Sequence, residues 1–289
     1  MTHIQNKFTD VLNYIDLHLD DELSIEQLSE IAHLSKYHFH RQFSSYYGIS
    51  LSAYIKLIRL KRASYQLAFR KSLKVIDIAL SSGYESPEAF SKAFSQAIGQ
   101  SPSKFRQSPD WNCWHNKYES LTSMRVKIRD DKVNDFKVEI VNFLDINLAV
   151  LEHKGAPQML PNTINNFIRW RKENKLPPSK NRTFNLVYDD PALVSPENYK
   201  FDICTSIKGS VKENNYGVIN KNIPSGPCAV IRHIGSDDTL KNAVNYLYDV
   251  WLSSQKRELR NFPLFFERIH FFPEVAENEM VTDIYLPLK

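Results

Sequence analysis

The chain repeats itself at a fixed spacing. Ser35, Phe39, Arg41, Phe43, Gly48, Ser50, Ser52 and Tyr54 recur as Ser86, Phe90, Lys92, Phe94, Gly99, Ser101, Ser103 and Phe105, each 51 residues further on. Matched residue types at one constant offset are the mark of a duplicated supersecondary unit. Each copy reads as helix, tight turn, helix. In the first, Ser24 is placed to N-cap a helix, and Gln27, three residues on, completes a capping box. Leu28 and Ile31 supply that helix's apolar side, and Ala32 is a small residue at the turn. Ser35 caps a second helix running to Tyr46, with Phe39 and Phe43 sharing its buried face. In the second copy, Ile76, Ala79 and Leu80 belong to the first helix and Gly83 marks the turn. Ser86 then caps the next helix, with Pro87 at its first position, where a missing N–H costs nothing.

With the aromatics committed to the core, the outer face of each second helix is left for recognition. In the first copy it carries Lys36, Tyr37, His40 and Arg41; in the second, Glu88, Ala89, Ser91 and Lys92. A helix presented this way fits the DNA major groove. Arg and Lys can read guanine, Glu can accept from cytosine, and small apolar groups can touch a thymine methyl. The distribution of charge points the same way, although the net charge is only +4. No Asp or Glu occurs between Ile31 and Ile76, a span holding Lys36, Arg41, Lys56, Arg59, Lys61, Arg62, Arg70, Lys71 and Lys74. A one-signed stretch of this kind is expected to face phosphate. Between the copies, Leu51 to Lys71 reads as one long helix. About 20 residues at ~1.5 Å rise span ~30 Å, close to one turn of DNA.

The pattern Ala79-x-x-x-Gly83-Tyr84-x-Ser86-Pro87-Glu88-Ala89-Phe90-Ser91-Lys92-Ala93-Phe94, followed by Gly99-Gln100-Ser101-Pro102-Ser103-Lys104-Phe105-Arg106, resembles the DNA-binding domain of the AraC/XylS family. The likeness covers residues 4–107 and implies seven helices and two major-groove contacts. Members with this domain at the N-terminus carry Trp where Tyr37 stands, Gln at His40 and Gln-Gln at Pro87-Glu88. Their operator sequence is therefore not carried over.

A second repeat follows. Leu151-Glu152-His153-Lys154-Gly155 recurs as Ile231-Arg232-His233-Ile234-Gly235 at an offset of 80. Trp170 recurs as Trp251, and Asp202-Ile203-Cys204 as Asp283-Ile284-Tyr285, both at 81. Each unit reads as strand, strand, helix, strand, strand. Strands are expected at Ala149–His153, Phe184–Tyr188, Phe201–Ile207, Ala229–His233, Phe265–Phe271 and Val281–Leu286, and helices over Thr163–Asn174 and Leu240–Arg257. Two such units, related by a pseudo-twofold axis, would pack their sheets around a central groove. The pattern Phe265-Phe266-Glu267-Arg268, then Pro273, then Asp283-Ile284-Tyr285-Leu286-Pro287-Leu288, resembles the GyrI-like domain over residues 124–289. That resemblance implies an effector-binding half in which the acid matching Glu267 lies among aromatics and meets the ligand. The expected class is multidomain: an all-α double helix-turn-helix domain (1–108), a linker (109–123), and an α+β GyrI-like domain with a pseudo-twofold repeat (124–289), with one strand expected near Met124–Ile128.

Glu267 stands out independently, because the repeat places apolar Leu186 or Val187 at its counterpart position. An acid where symmetry puts a core residue marks a functional site, and it is costly unless paired or protonated. A ligand could relieve that cost; so could Arg268, Arg232 or another base. Candidate pocket walls are Tyr188, Tyr248, Trp251, Phe265 and Tyr285. His153 and His233 occur in both repeats, which favours a structural role over catalysis. No phosphate loop, nucleophile elbow or metal-ligand cluster is present, so no cofactor is expected. Three scattered cysteines, no signal-peptide pattern and no membrane-length apolar run suggest a cytoplasmic protein. The reading is a transcription activator and not an enzyme. Its expected partners are double-stranded DNA at two successive major-groove turns, a small amphiphilic or aromatic effector, and RNA polymerase. Alternatives for the second half are a protein-interaction module or a hydrolase.

Overall fold

The computed structural model of the chain describes residues 3–129 and 136–289. Two compact units are present: residues up to 133 with 276–278, and residues 134–275 with 279–289. The first holds α1 (His3–Leu17), α2 (Ile25–Ile31), α3 (Lys36–Tyr47), α4 (Leu51–Phe69), α5 (Val75–Ser81), α6 (Pro87–Ile98), α7 (Pro102–Gln107) and α8 (Trp111–Arg129). Serine starts five of these helices. The hydroxyls of Ser24, Ser35, Ser50, Ser86 and Ser101 each accept the backbone N–H three residues on, and each cap contributes about 1 kcal/mol. Gly48 and Gly99 end α3 and α6 in the left-handed conformation, at φ 71° and 81°. Phe39, Phe43, Phe90, Phe94, Tyr54 and Phe105 are all fully buried, so the matched aromatics of both copies form the core.

Three local details differ from the sequence reading. Ser24 caps α2, but the Gln27 side chain turns away from a capping box and donates to the Tyr14 hydroxyl at 3.2 Å. The left-handed residue of the first turn is His33 (φ 51°), one past Ala32, whereas Gly83 takes that role in the second (φ 76°). The first helices of the two copies are thus 50 residues apart, and the second turn is one residue longer. The larger correction concerns the expected linker, 109–123, and the strand expected near Met124–Ile128: from Trp111 on, both are helical, as α8. Asp110 Oδ1 accepts the Cys113 N–H at 3.0 Å and starts this helix. Trp111, Trp114, Tyr118 and Leu121, at three- and four-residue intervals, are buried in the core of the first unit. Tertiary packing, rather than propensity, holds such a helix.

The second unit holds β1 (Val138–Phe143), β2 (Ile146–Lys154), α9 (Leu160–Glu173), β3 (Thr183–Val187), β4 (Lys200–Ser206), β5 (Ile219–Ile223), β6 (Gly226–Ile234), α10 (Leu240–Asn245), β7 (Leu264–His270) and β8 (Val281–Pro287). The chain continues from α10 as a π-helical segment, Tyr246–Leu252. The expected strand–strand–helix–strand–strand order is present twice. The two halves do not form separate sheets. They join into one eight-stranded sheet of order β1-β6-β8-β7-β3-β4-β2-β5, antiparallel at every pairing. The order is unchanged when the two repeats are exchanged, and Asn185 pairs with its own counterpart Phe266 at the centre of the β3–β7 ladder. Each repeat lends its first strand to the other, since β1 pairs with β6 and β5 with β2. One face of the sheet packs Ala149, Phe201, Ile203, Ile231, Phe266 and Ile284 against Phe167, Trp170, Leu240 and Leu247 of the helices. Each fully buried large side chain there is worth about 1.5–3 kcal/mol. The opposite face carries its own cluster, built from strand residues with Phe262.

Candidate nucleic-acid interface and effector site

The period of 3.6 that buries Phe39, Phe43 and Tyr47 turns the opposite side of α3 outward. Lys36, Tyr37, His40 and Arg41 are all exposed, and the Lys36 ammonium lies 5.4 Å from the Tyr37 ring centre. On α6, Glu88, Ala89 and Lys92 are exposed and Ser91 is half-buried. All eight residues therefore lie on the outer side of two like-built helices, each held from behind by aromatics. The acid-free stretch divides into two roles. Arg59 donates to the backbone carbonyls of Leu19 (2.9 Å) and Asp21 (2.6 Å). Arg62 binds the Asp20 carboxylate (2.5 and 3.2 Å) and the Ser81 carbonyl (2.6 Å). Lys61 is buried, and Lys71 donates to the Arg106 carbonyl. These cations brace the helices, contrary to the expectation that the whole stretch faces phosphate. A cation on a core-facing helix finds carbonyl partners from loops that sequence spacing does not show.

In the second unit, strand alternation sends Phe184 and Leu186 on β3, Cys204 on β4, Phe265 and Glu267 on β7, and Tyr285 on β8 to the strand-only face. Phe265 and Tyr285 stack with ring centres 4.9 Å apart and planes 8° from parallel. Phe143 stands edge-on to both, at 5.0 and 5.2 Å. Glu267 is 6% exposed beside them. Its counterpart across the axis is Leu186, fully buried in the same cluster. The base that neutralises Glu267 is neither Arg268 nor Arg232 but Arg182, a residue the sequence reading missed. Its Nε donates to Oε1 at 2.6 Å and its Nη2 to Oε2 at 2.7 Å. That hydrogen bonding holds the Arg182 pKa above its ordinary value. Because 85 residues separate the partners, no local pattern could pair them.

Arg232 instead binds Asp283 through Nε and Nη2, both at 2.7 Å. Arg268 goes to Asn185, Asp237 and Thr282. The buried acid Asp202, counterpart of Asp283, takes the Lys221 ammonium at 2.7 Å and the Tyr188 hydroxyl at 2.8 Å. Burial and that bond to Asp202 push the Tyr188 pKa up to about 12. Of the expected pocket walls, Phe265 and Tyr285 therefore surround Glu267, and Tyr188 lies on the same face. Trp251 and Tyr248 do not join them. Both stand in the π-helical segment after α10, and Trp251 packs into the core on the helical side of the sheet. Recurrence with Trp170 identified a helix-packing position, not a ligand wall. His153 and His233 are both buried and bind a threonine of the following segment, Thr163 at 2.8 Å and Thr239 at 2.9 Å. Each ties a strand end to the helix that follows.

The model of the GyrI-like small molecule binding domain matches residues 136–289, just over half of the chain, and that of a helix-turn-helix domain matches residues 28–108. The chain is 36% identical over 152 residues to the probable transcriptional regulator YgiV of Escherichia coli (strain K12), a span of 52% of this chain and 95% of that protein. It is 32% identical over 105 residues to the right origin-binding protein of Escherichia coli (strain K12), covering 36% of each. Among solved structures, the EcmrR–DNA complex in EcmrR-RPo aligns with 92% of this chain and 98% of that one, at 14% identity and a TM-score of 0.46.

Proposed function

The chain belongs to the GyrI-like small molecule binding family and carries a helix-turn-helix domain ahead of that domain, and from this premise we propose a cytoplasmic transcription activator switched by a small amphiphilic or aromatic effector. The observation that supports DNA reading best is the pair of matching exposed faces on α3 and α6. Lys36, Tyr37, His40 and Arg41 enter one major groove, and Glu88, Ala89, Ser91 and Lys92 the next. One chain then reads an asymmetric site, and activation proceeds by contact with RNA polymerase. The effector binds on the strand-only face, against Glu267, Phe265, Tyr285 and Tyr188. A hydrolase with Glu267 as its base is disfavoured because both Glu267 oxygens are engaged by Arg182. Three free cysteines suit a reducing compartment.

The test begins with selection of a preferred duplex from a random pool. Fluorescence anisotropy then compares Arg41→Ala and Lys92→Ala with the parent on that duplex and on scrambled DNA. Each substitution is expected to cost about 1–3 kcal/mol on the selected duplex and much less on the scrambled one. Equal losses on both duplexes would show phosphate contact alone and remove the base-reading role.

A further inference from the structure

The acids of the strand-only face already have partners. Glu267 lies directly opposite Asp283 in the β7–β8 ladder, and like charges in that position repel unless each is neutralised. Arg182 and Arg232 neutralise them, each through Nε and Nη2. The two carboxylate side chains are 8% and 9% exposed, the two arginine side chains 49% and 60%. The Arg182 guanidinium also lies 4.9 Å from the Phe184 ring centre and 5.6 Å from that of Phe143. A guanidinium that is bidentate on a buried carboxylate and set over aromatic rings has the surroundings a bound cation needs. This site therefore offers an incoming molecule N–H groups rather than carboxylate oxygens. The Nη1 groups of Arg182 and Arg232 have no hydrogen-bond partner among the described residues.

We propose that Arg182 is a tethered cation filling the acid–aromatic site and setting its charge selectivity. The site turns away aromatic cations and takes an aromatic or amphiphilic acid, whose carboxylate accepts from Nη1 of Arg182 and of Arg232. The inference rests on the effector-site reading above. A cationic guest has to displace a competitor held in the same chain, whose effective concentration no free ligand easily matches. An acid needs no displacement and completes the guanidinium's hydrogen bonding.

Isothermal titration of the full chain with 2-naphthoate and with rhodamine 6G tests this, using the parent, Arg182→Ala, Arg182→Met (which keeps the apolar stem), and Arg182→Ala with Glu267→Gln. The parent is expected to bind 2-naphthoate and reject the dye. Either Arg182 substitution should weaken 2-naphthoate and tighten the dye, each by about ten-fold or more, and adding Glu267→Gln should abolish the dye gain. A parent that binds the dye as tightly as the Arg182 variants overturns the proposal and leaves an effector site standing. Silence of both probes on the parent and on both Arg182 variants, with melting and DNA binding intact, overturns the proposal and the effector-site reading together.

Discussion

Gly83→Ala measures how tightly the second turn is built. Gly83 has φ +76°, and a Cβ there would lie 2.3 Å from Nη1 and 2.9 Å from Cζ of Arg59. The left-handed conformation alone costs alanine about 1 kcal/mol. His33 takes the same region in the first turn, so a side chain can bear that cost; the Arg59 contact is additional. The guanidinium cannot retreat freely, because it is tied to the carbonyls of Leu19 and Asp21. Losing one of these charge-assisted bonds costs about 1.5–3 kcal/mol, with the lower end apt for a half-exposed group. The expected total is about 3 kcal/mol. In an Arg59→Ala background the new Cβ meets no guanidinium, so only about 1 kcal/mol remains, and the double-mutant coupling is about 1.5–2 kcal/mol. Urea unfolding reads this through Trp111 and Trp114, buried in the first unit, in a chain with Trp170→Phe and Trp251→Phe. Equal costs in the two backgrounds would refute the steric argument, and a cost below about 0.5 kcal/mol would refute the left-handed turn as well.

The Arg182–Glu267 pair should respond unequally to loss of either partner. Arg182→Ala strands a buried carboxylate and is expected to cost about 3 kcal/mol, whereas Glu267→Gln leaves a half-exposed guanidinium that turns to water, costing about 1 kcal/mol; thermal unfolding giving the reverse order would contradict the burial pattern. Tyr188 ionises above its ordinary 10.0, at about 12, because of burial and its bond to Asp202. Its raised pKa contributes stability in full below pH 10 and loses it as pH rises toward 12. The parent-minus-Tyr188→Phe absorbance difference at 295 nm should titrate in that upper range; a midpoint near 10 would remove the Asp202 bond.

Much of the fold was legible because its signals are local or periodic. The 51-residue offset placed both helix pairs, and Ser35 and Ser86 marked where α3 and α6 begin. Aromatic and β-branched content located six of the strands, β1 and β5 excepted, and the repeat at 80 to 81 residues predicted a pseudo-twofold axis. The mismatch at Glu267 pointed to an acid at a core position, the GyrI-like resemblance implied aromatics around it, and the structure has both. The helix α8 was missed although Asp110 and the Trp111–Trp114–Tyr118 spacing announced it, because weak helix formers between them obscured the period.

Sequence by itself determined which faces exist: an outward face on each of two like-built helices, two strand–helix repeats, and an apolar stripe behind each. Periodicity fixes the direction of every side chain relative to its own element. It does not fix which element lies opposite. Only tertiary structure decided that β1 and β5 cross to the other repeat, that Trp251 stands on the helical side of the sheet, and that Arg59 and Arg62 brace loops. The same holds for Arg182, which reaches Glu267 only because β3 and β7, the strands flanking the axis, are joined in one ladder. Pairings between residues dozens of positions apart follow from closing the sheet, a global condition on the chain that no local pattern encodes.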